Sequence, residues 1–105
     1  MWNGKGGLDM ENDKRLEDAE QGMRDAGEKW EIARAVYKWA MRKREMCLRA
    51  VMLADLDMKP AGNALFRLDA ANMKAIRARR ALRAAQAGVW DARRKHAAVC
   101  QGVLI

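Results

Sequence analysis

The chain has 105 residues, and its 21 lysines and arginines outnumber its 14 aspartates and glutamates, which gives a formal net charge of +7. This length fits one small domain, and a composition dominated by alanine, arginine, methionine and leucine with a single proline favours helices over a β-sandwich or barrel. No apolar run reaches the roughly 18 residues of a membrane span, no signal peptide is recognisable, and two cysteines are too few for a disulfide framework, so we expect a cytoplasmic protein with no membrane partner.

The first predicted helix occupies the N-terminal half of the chain. Residues 1–8 are rich in glycine and are expected to be disordered, whereas residues 9–105 should form a single helical domain. A first helix is predicted over about residues 9–57. Gly22 and Gly27 weaken it, because glycine costs about 1 kcal/mol in a helix interior, and a bend is expected near Gly27.

The strongest break in the pattern is the segment around Pro60. Proline cannot continue a helix, so a turn is predicted over residues 58–63, with Asn63 as the cap of a second helix. That helix is predicted over about residues 64–100 and should end at Gly102.

Both predicted helices carry an apolar series that advances alternately by three and four residues. Small residues, mainly alanine, alternate with large ones, and Arg44 and His96 are the polar members. This pattern predicts an antiparallel helical hairpin with an alanine-rich coiled-coil seam, in which residue i faces residue about 120−i. The series are Leu16, Ala19, Met23, Ala26, Trp30, Ala33, Tyr37, Ala40, Arg44, Cys47, Val51 and Ala54, and then Ala64, Leu68, Ala71, Ala75, Ala78, Leu82, Ala85, Val89, Ala92, His96, Val99 and Val103.

The first helix has more apolar surface between Trp30 and Met58 than one partner helix can cover. Leaving several large side chains exposed would be costly, since burying one contributes about 1.5–3 kcal/mol. This surface should pack either against another copy of the chain or against the acidic part of the first helix, folded back at Gly27. Self-association is the preferred interpretation, so the all-α hairpin is expected to assemble into an oligomeric bundle, as a dimer or a larger oligomer. The residues expected to mediate self-association are Ile32, Val36, Trp39, Met46, Leu48, Met52, Leu53 and Leu56.

Charge is strongly segregated along the chain. Residues 1–28 contain eight acidic and four basic side chains, whereas residues 38–49 and 74–83 together contain ten basic side chains and one acid, Glu45. The predicted hairpin brings the two basic segments to one level, where they would form a basic belt. Guanidinium groups suit phosphate and carboxylate partners. The belt consists of Lys38, Arg42, Lys43, Arg44, Arg49, Lys74, Arg77, Arg79, Arg80 and Arg83.

Two interpretations of the belt remain open. It is either a solvated helix face, as most runs of charge are, or an anion-binding surface for nucleic acid, nucleotide or an acidic protein. Tyr37 and Trp39 lie beside it and could stack on a base, although aromatic residues at helical spacing more often belong to a packed interior.

The sequence does not assemble catalytic or metal-binding chemistry. His96 and Cys100 share a helical face, but Cys47 would lie about 40 Å from Cys100 in a straight hairpin, at a rise of about 1.5 Å per residue. A single-chain zinc site and an internal disulfide are therefore not expected. No nucleophile, base and orienting group can be combined, so we expect neither enzyme activity nor a cofactor.

A predicted helix with Trp, Ala and Tyr at helical spacing, Glu28–Tyr37, is followed by a short linker and by an alanine- and arginine-rich helix, Arg77–Arg94. In this arrangement the chain resembles the small helical-hairpin accessory proteins of bacterial viruses. The resemblance implies a non-enzymatic accessory role in the bacterial cytoplasm, such as blocking a host defence or nucleic-acid-processing complex.

These observations favour a helical protein that self-associates and docks its basic belt onto an acidic surface of a partner protein. The alternatives are direct binding of nucleic acid or nucleotide through the same belt, and a purely structural coiled coil. Salt dependence separates protein docking from nucleic-acid binding, because several phosphate contacts make the affinity for nucleic acid fall steeply with salt.

Overall fold

Two helices make up the described part of the chain. The structure, a computed structural model, describes the backbone of residues 3–102 and the side chains of residues 10–102. Helix α1 spans Asn3–Leu56 and helix α2 spans Gly62–Cys100, and no strand occurs in the described range. The predicted all-α helical hairpin is confirmed.

The N-terminal end of α1 differs from the expected one. Helix was expected from Asp9, with disorder over residues 1–8, yet the backbone is helical from Asn3. Glycine lowers helix propensity without forbidding helical backbone, so the helix extends back through the glycine-rich start. Residues 1–2 lie outside the described range. α1 is also uninterrupted at Gly22 and Gly27.

Helix α1 ends in a Schellman motif at the turn. The Lys59 N–H donates to the Ala54 carbonyl at 2.9 Å, and the Met58 N–H donates to the Asp55 carbonyl at 3.1 Å. Met58 carries the left-handed backbone that this motif requires, with φ of 56°. The helix thus ends at Leu56, one residue before the predicted end.

Replacing Met58 by glycine should stabilise the protein. A non-glycine residue in the left-handed region costs about 1–2 kcal/mol, and the Met58 side chain is 92% exposed, so little packing is lost. We expect Met58→Gly to raise the free energy of unfolding by about 1 kcal/mol. Met58→Ala keeps the strained backbone and should change it little. Urea unfolding at one protein concentration measures both, and equal stabilisation by the two variants would contradict the explanation.

Helix α2 begins earlier than predicted. The Ala61 carbonyl accepts the N–H of Leu65 at 2.8 Å, which places Ala61 at the N-cap and makes Gly62 the first helical residue. Asn63 is therefore inside the helix and is not its cap. Gly102 lies just beyond α2, as predicted, with φ of 74°.

The chain divides into two compact units. The turn unit comprises Glu31–Ala84, which holds the turn and the adjoining parts of both helices. The terminal unit comprises Met1–Trp30 and Ala85–Ile105, of which residues 3–30 and 85–102 are described. In the terminal unit a small pocket lined by Leu16 of α1 and Val99 of α2 places these two residues close together.

The interior of the turn unit consists of alanine. Ala40 of α1 and Ala71, Ala75 and Ala78 of α2 are its buried residues. Tyr37 and Met41, both partly exposed, pack against this cluster. Alanine methyls allow two helix backbones to approach closely, but each one removes little apolar area from water. Many of the large apolar side chains of the turn unit, such as Ile32, Met46 and Leu56, are therefore exposed.

Candidate partner-binding surface

The two predicted apolar series follow the inner sides of the helices. Within residues 10–102 every member is buried or half-buried except Arg44, which is exposed. Val103, the last predicted member, lies outside the described residues. Because a period of three and four residues is a property of the sequence, burial of this kind is readable without tertiary information.

The exposed Arg44 side chain of α1 forms a hydrogen bond with α2 in the turn unit. Its Nε donates to Oδ1 of Asn72 at 2.6 Å; Arg44 is exposed and Asn72 is half-buried. Sequence reasoning missed Asn72, because no local pattern marks it as a partner of Arg44. The bond joins α1 to α2, so it contributes to the register between the helices.

This bond also corrects the predicted register. Residue i in the turn unit lies opposite residue about 116−i, and not about 120−i, since Arg44 faces Asn72. The physical reason is the early start of α2, because Gly62 and Asn63 belong to the helix and not to the turn. The two basic segments are therefore offset along the helices from the alignment expected at about 120−i.

All ten belt residues are exposed, and all lie in the turn unit. They do not share one face. Lys43 and Lys74 line a groove of about 800 Å³ between α1 and α2, whereas Arg44 and Arg79 line a second groove of about 400 Å³. The first also contains Arg67, which the sequence reasoning left out of the belt. The remaining members are Lys38, Arg42, Arg49, Arg77, Arg80 and Arg83.

The larger groove combines a small-residue floor with apolar and basic walls. Ala40, Cys47 and Ala71 lie at its base, and Trp39 and Met46 stand on the α1 side. We call this the alanine groove; its lining residues are Trp39, Ala40, Lys43, Met46, Cys47, Ala50, Pro60, Asn63, Ala64, Arg67, Ala70, Ala71 and Lys74.

The two aromatic residues beside the belt have different surroundings. Tyr37 is half-buried against the alanine cluster. Trp39 is 56% exposed, and the Lys43 ammonium lies 5.0 Å from the centroid of its ring. This cation–π contact holds a positive charge at the rim of the alanine groove.

The eight residues expected to mediate self-association are all exposed. The sequence reasoning did not include Leu65 and Phe66, which are also exposed at the start of α2; Phe66 is 77% exposed. Together with Met52, Leu53 and Leu56 they surround the turn, and we call these five residues the apolar turn end. The other five predicted residues are Ile32, Val36, Trp39, Met46 and Leu48.

Most of the resolved charge pairing is local. Ion pairs of 3.2–3.8 Å join Arg15 to Glu11 and Arg49 to Glu45 within α1, and Arg94 and Lys95 to Asp91 within α2. Exposed pairs of this kind contribute only about 0.3–0.5 kcal/mol each.

His96 and Cys100 lie side by side on α2. The Cys100 sulfur is 3.7 Å from Nε2 of His96, and both Cys100 and Cys47, which is in the turn unit, are free cysteines. Within the described residues no group of three or more histidine, cysteine, aspartate or glutamate side chains could hold a metal ion. Neither helix, over that same range, has a stretch both long and apolar enough to cross a membrane.

Neither the protein-family models, nor the curated proteins, nor the solved structures provide a match to this chain.

Proposed function

We propose that this chain is a non-enzymatic helical interaction protein that self-associates and docks its basic belt onto an acidic surface of a partner protein. The observation that carries the proposal is that small side chains fill the interior of the turn unit, while many large apolar and basic side chains are exposed on its surface. Alanines form its interior, while all ten belt residues and all eight predicted association residues are exposed. A surface so rich in large apolar and cationic groups is typical of a binding surface.

Self-association is best supported at the apolar turn end. The residues between Ala50 and Leu68 carry two acids, Asp55 and Asp57, and two bases, Lys59 and Arg67, so this stretch has no net charge. Two copies can therefore meet there without the repulsion that the belt would impose. Within each copy, we take the two apolar series to pack as the coiled-coil seam.

The partner is proposed to be acidic because the belt is concentrated and poorly neutralised. Ten basic side chains and the single acid Glu45 occupy its two segments, and Glu45 already pairs with Arg49. An acidic protein surface would relieve this repulsion. The resemblance to accessory proteins of bacterial viruses extends the proposal to an inhibitor of a host defence or nucleic-acid-processing complex in the bacterial cytoplasm.

Charge reversal of the α2 part of the belt tests docking. Arg77, Arg79, Arg80 and Arg83 are exposed, so changing all four to glutamate should leave helicity unchanged by circular dichroism. We expect an immobilised wild-type chain to capture acidic proteins from the cells that encode it, and the variant to lose them in mass spectrometry. Retention of the same proteins by the variant would reduce the belt to a solvated face.

A mobility-shift assay separates the proposal from direct nucleic-acid binding. Single- and double-stranded DNA and RNA are tested with the wild-type chain at two salt concentrations. We expect no shift, even at low salt. A shift that weakens steeply with salt and disappears in the four-residue variant would overturn protein docking in favour of phosphate binding through the belt.

A further inference from the structure

We propose that the alanine groove is the docking site for an acidic amphipathic helix of the partner protein. This inference rests on the proposed function and names the element of the partner that is bound. It differs from docking on the belt in general, because Arg77, Arg79, Arg80 and Arg83 do not line this groove.

The shape of the groove suits a helix. Its base is formed by small side chains such as Ala40, Cys47 and Ala71, so the groove has room above them for large side chains of an incoming helix. Trp39 and Met46 on the α1 side provide exposed apolar surface for those side chains to cover. The groove has a volume of about 800 Å³.

The positive charges of the groove favour a negatively charged partner. Lys43, Arg67 and Lys74 line it, and no carboxylate is among its lining residues. A helix with leucine-like anchors on one face and glutamate or aspartate beside them would fill the apolar base and neutralise the three cations.

The same charges argue against two other occupants. A second copy seated face to face would bring six cations together in one interface. Nucleic acid would meet the cations but would leave the alanine base uncovered. Stacking of a base on Trp39 would also compete with Lys43, whose ammonium already lies over the ring.

Fluorescence anisotropy with a labelled synthetic helix tests the proposal. The probe is a peptide about three heptads long, with leucine at the first and fourth heptad positions and mainly glutamate elsewhere. We expect it to bind the wild-type chain. One control peptide has the same composition with its leucines dispersed around the helix, and another has lysine in place of glutamate; both should bind about tenfold or more weakly.

Filling the groove should block the peptide. Ala50 and Ala70 line the groove and are exposed, so Ala50→Phe with Ala70→Phe occupies it without overpacking the buried alanines. We expect this variant to weaken peptide binding about tenfold or more. The matched control, Ala81→Phe with Ala84→Phe, changes two exposed alanines that do not line the groove and should bind as the wild type does.

The outcomes distinguish failure of this inference from failure of the proposed function. If the peptide does not bind, or binds the filled variant equally well, the groove is not the site, although the four-arginine variant can still lose captured acidic proteins. If filling the groove converts an oligomer into a monomer in sedimentation, a second copy occupies it and the inference is overturned. If the peptide binds through the groove but no acidic protein is captured, the proposed function fails while the site stands.

Discussion

Ala75→Leu is expected to lower the free energy of unfolding by about 1–3 kcal/mol, because inserting a large side chain into a packed interior forces side chains or backbones apart. Ala75 is only 6% exposed and lies in one cluster with Ala40 and Ala78, against which Tyr37 and Met41 pack. Urea unfolding and thermal melting at a fixed protein concentration measure the change. For a domain of this size it corresponds to a melting temperature lower by roughly 4–8 °C per kcal/mol.

Ala81→Leu provides the matched control. Ala81 lies on the same helix and in the same unit, but it is exposed. The substitution is chemically identical and should change the free energy of unfolding by less than about 0.5 kcal/mol. Equal effects of the two variants, or stabilisation by Ala75→Leu, would contradict the view that close approach at the alanine cluster holds the two helices together.

Leu56→Glu combined with Phe66→Glu is expected to weaken self-association by about a hundredfold or more. Each large apolar side chain removed from an interface costs about 1.5–3 kcal/mol, and about 1.4 kcal/mol is a factor of ten in affinity. Both residues belong to the apolar turn end and are highly exposed within one copy. Sedimentation velocity at micromolar concentration should show an oligomer for the wild type and a smaller species for the variant.

The control for this experiment places the same charges elsewhere. Met10 and Met73 are exposed methionines outside the turn end, so Met10→Glu with Met73→Glu should leave the oligomer intact. If the wild-type chain sedimented as a clean monomer, the proposal that the protein self-associates would be wrong. An oligomer that survives the turn-end changes but dissociates in the control variant would move the interface away from the turn.

The sequence predicted the helical fold and the inner side of each helix well. Helix propensity and the three-and-four residue period are local properties, and residues such as Tyr37 and Ala75 follow them into the interior. The single proline located the turn, although the helices end and begin at Leu56 and Gly62 and not at the predicted residues. Those differences arise from hydrogen bonds at the turn, which residue types alone did not reveal.

The candidate site was predictable only as a set of exposed residues. The ten belt residues and the eight apolar residues are all exposed. Exposure is expected for charged residues, and for apolar residues beyond those that one partner helix can cover. Their grouping was not predictable. Arg67 shares a groove with Lys43 and Lys74, and Asn72 bonds Arg44, because these neighbours come from different helices.

By itself, the sequence determined that this protein is a two-helix chain with a small-residue interior and too many large apolar side chains for that interior. These properties depend on composition and on a repeat within each helix, so they do not depend on the register in which the two helices pack. Only the tertiary structure decided the register. An α2 that starts at Gly62 places Arg44 opposite Asn72, offsets the two basic segments from the alignment expected at about 120−i, and brings Lys43, Arg67 and Lys74 together as the cations of the alanine groove.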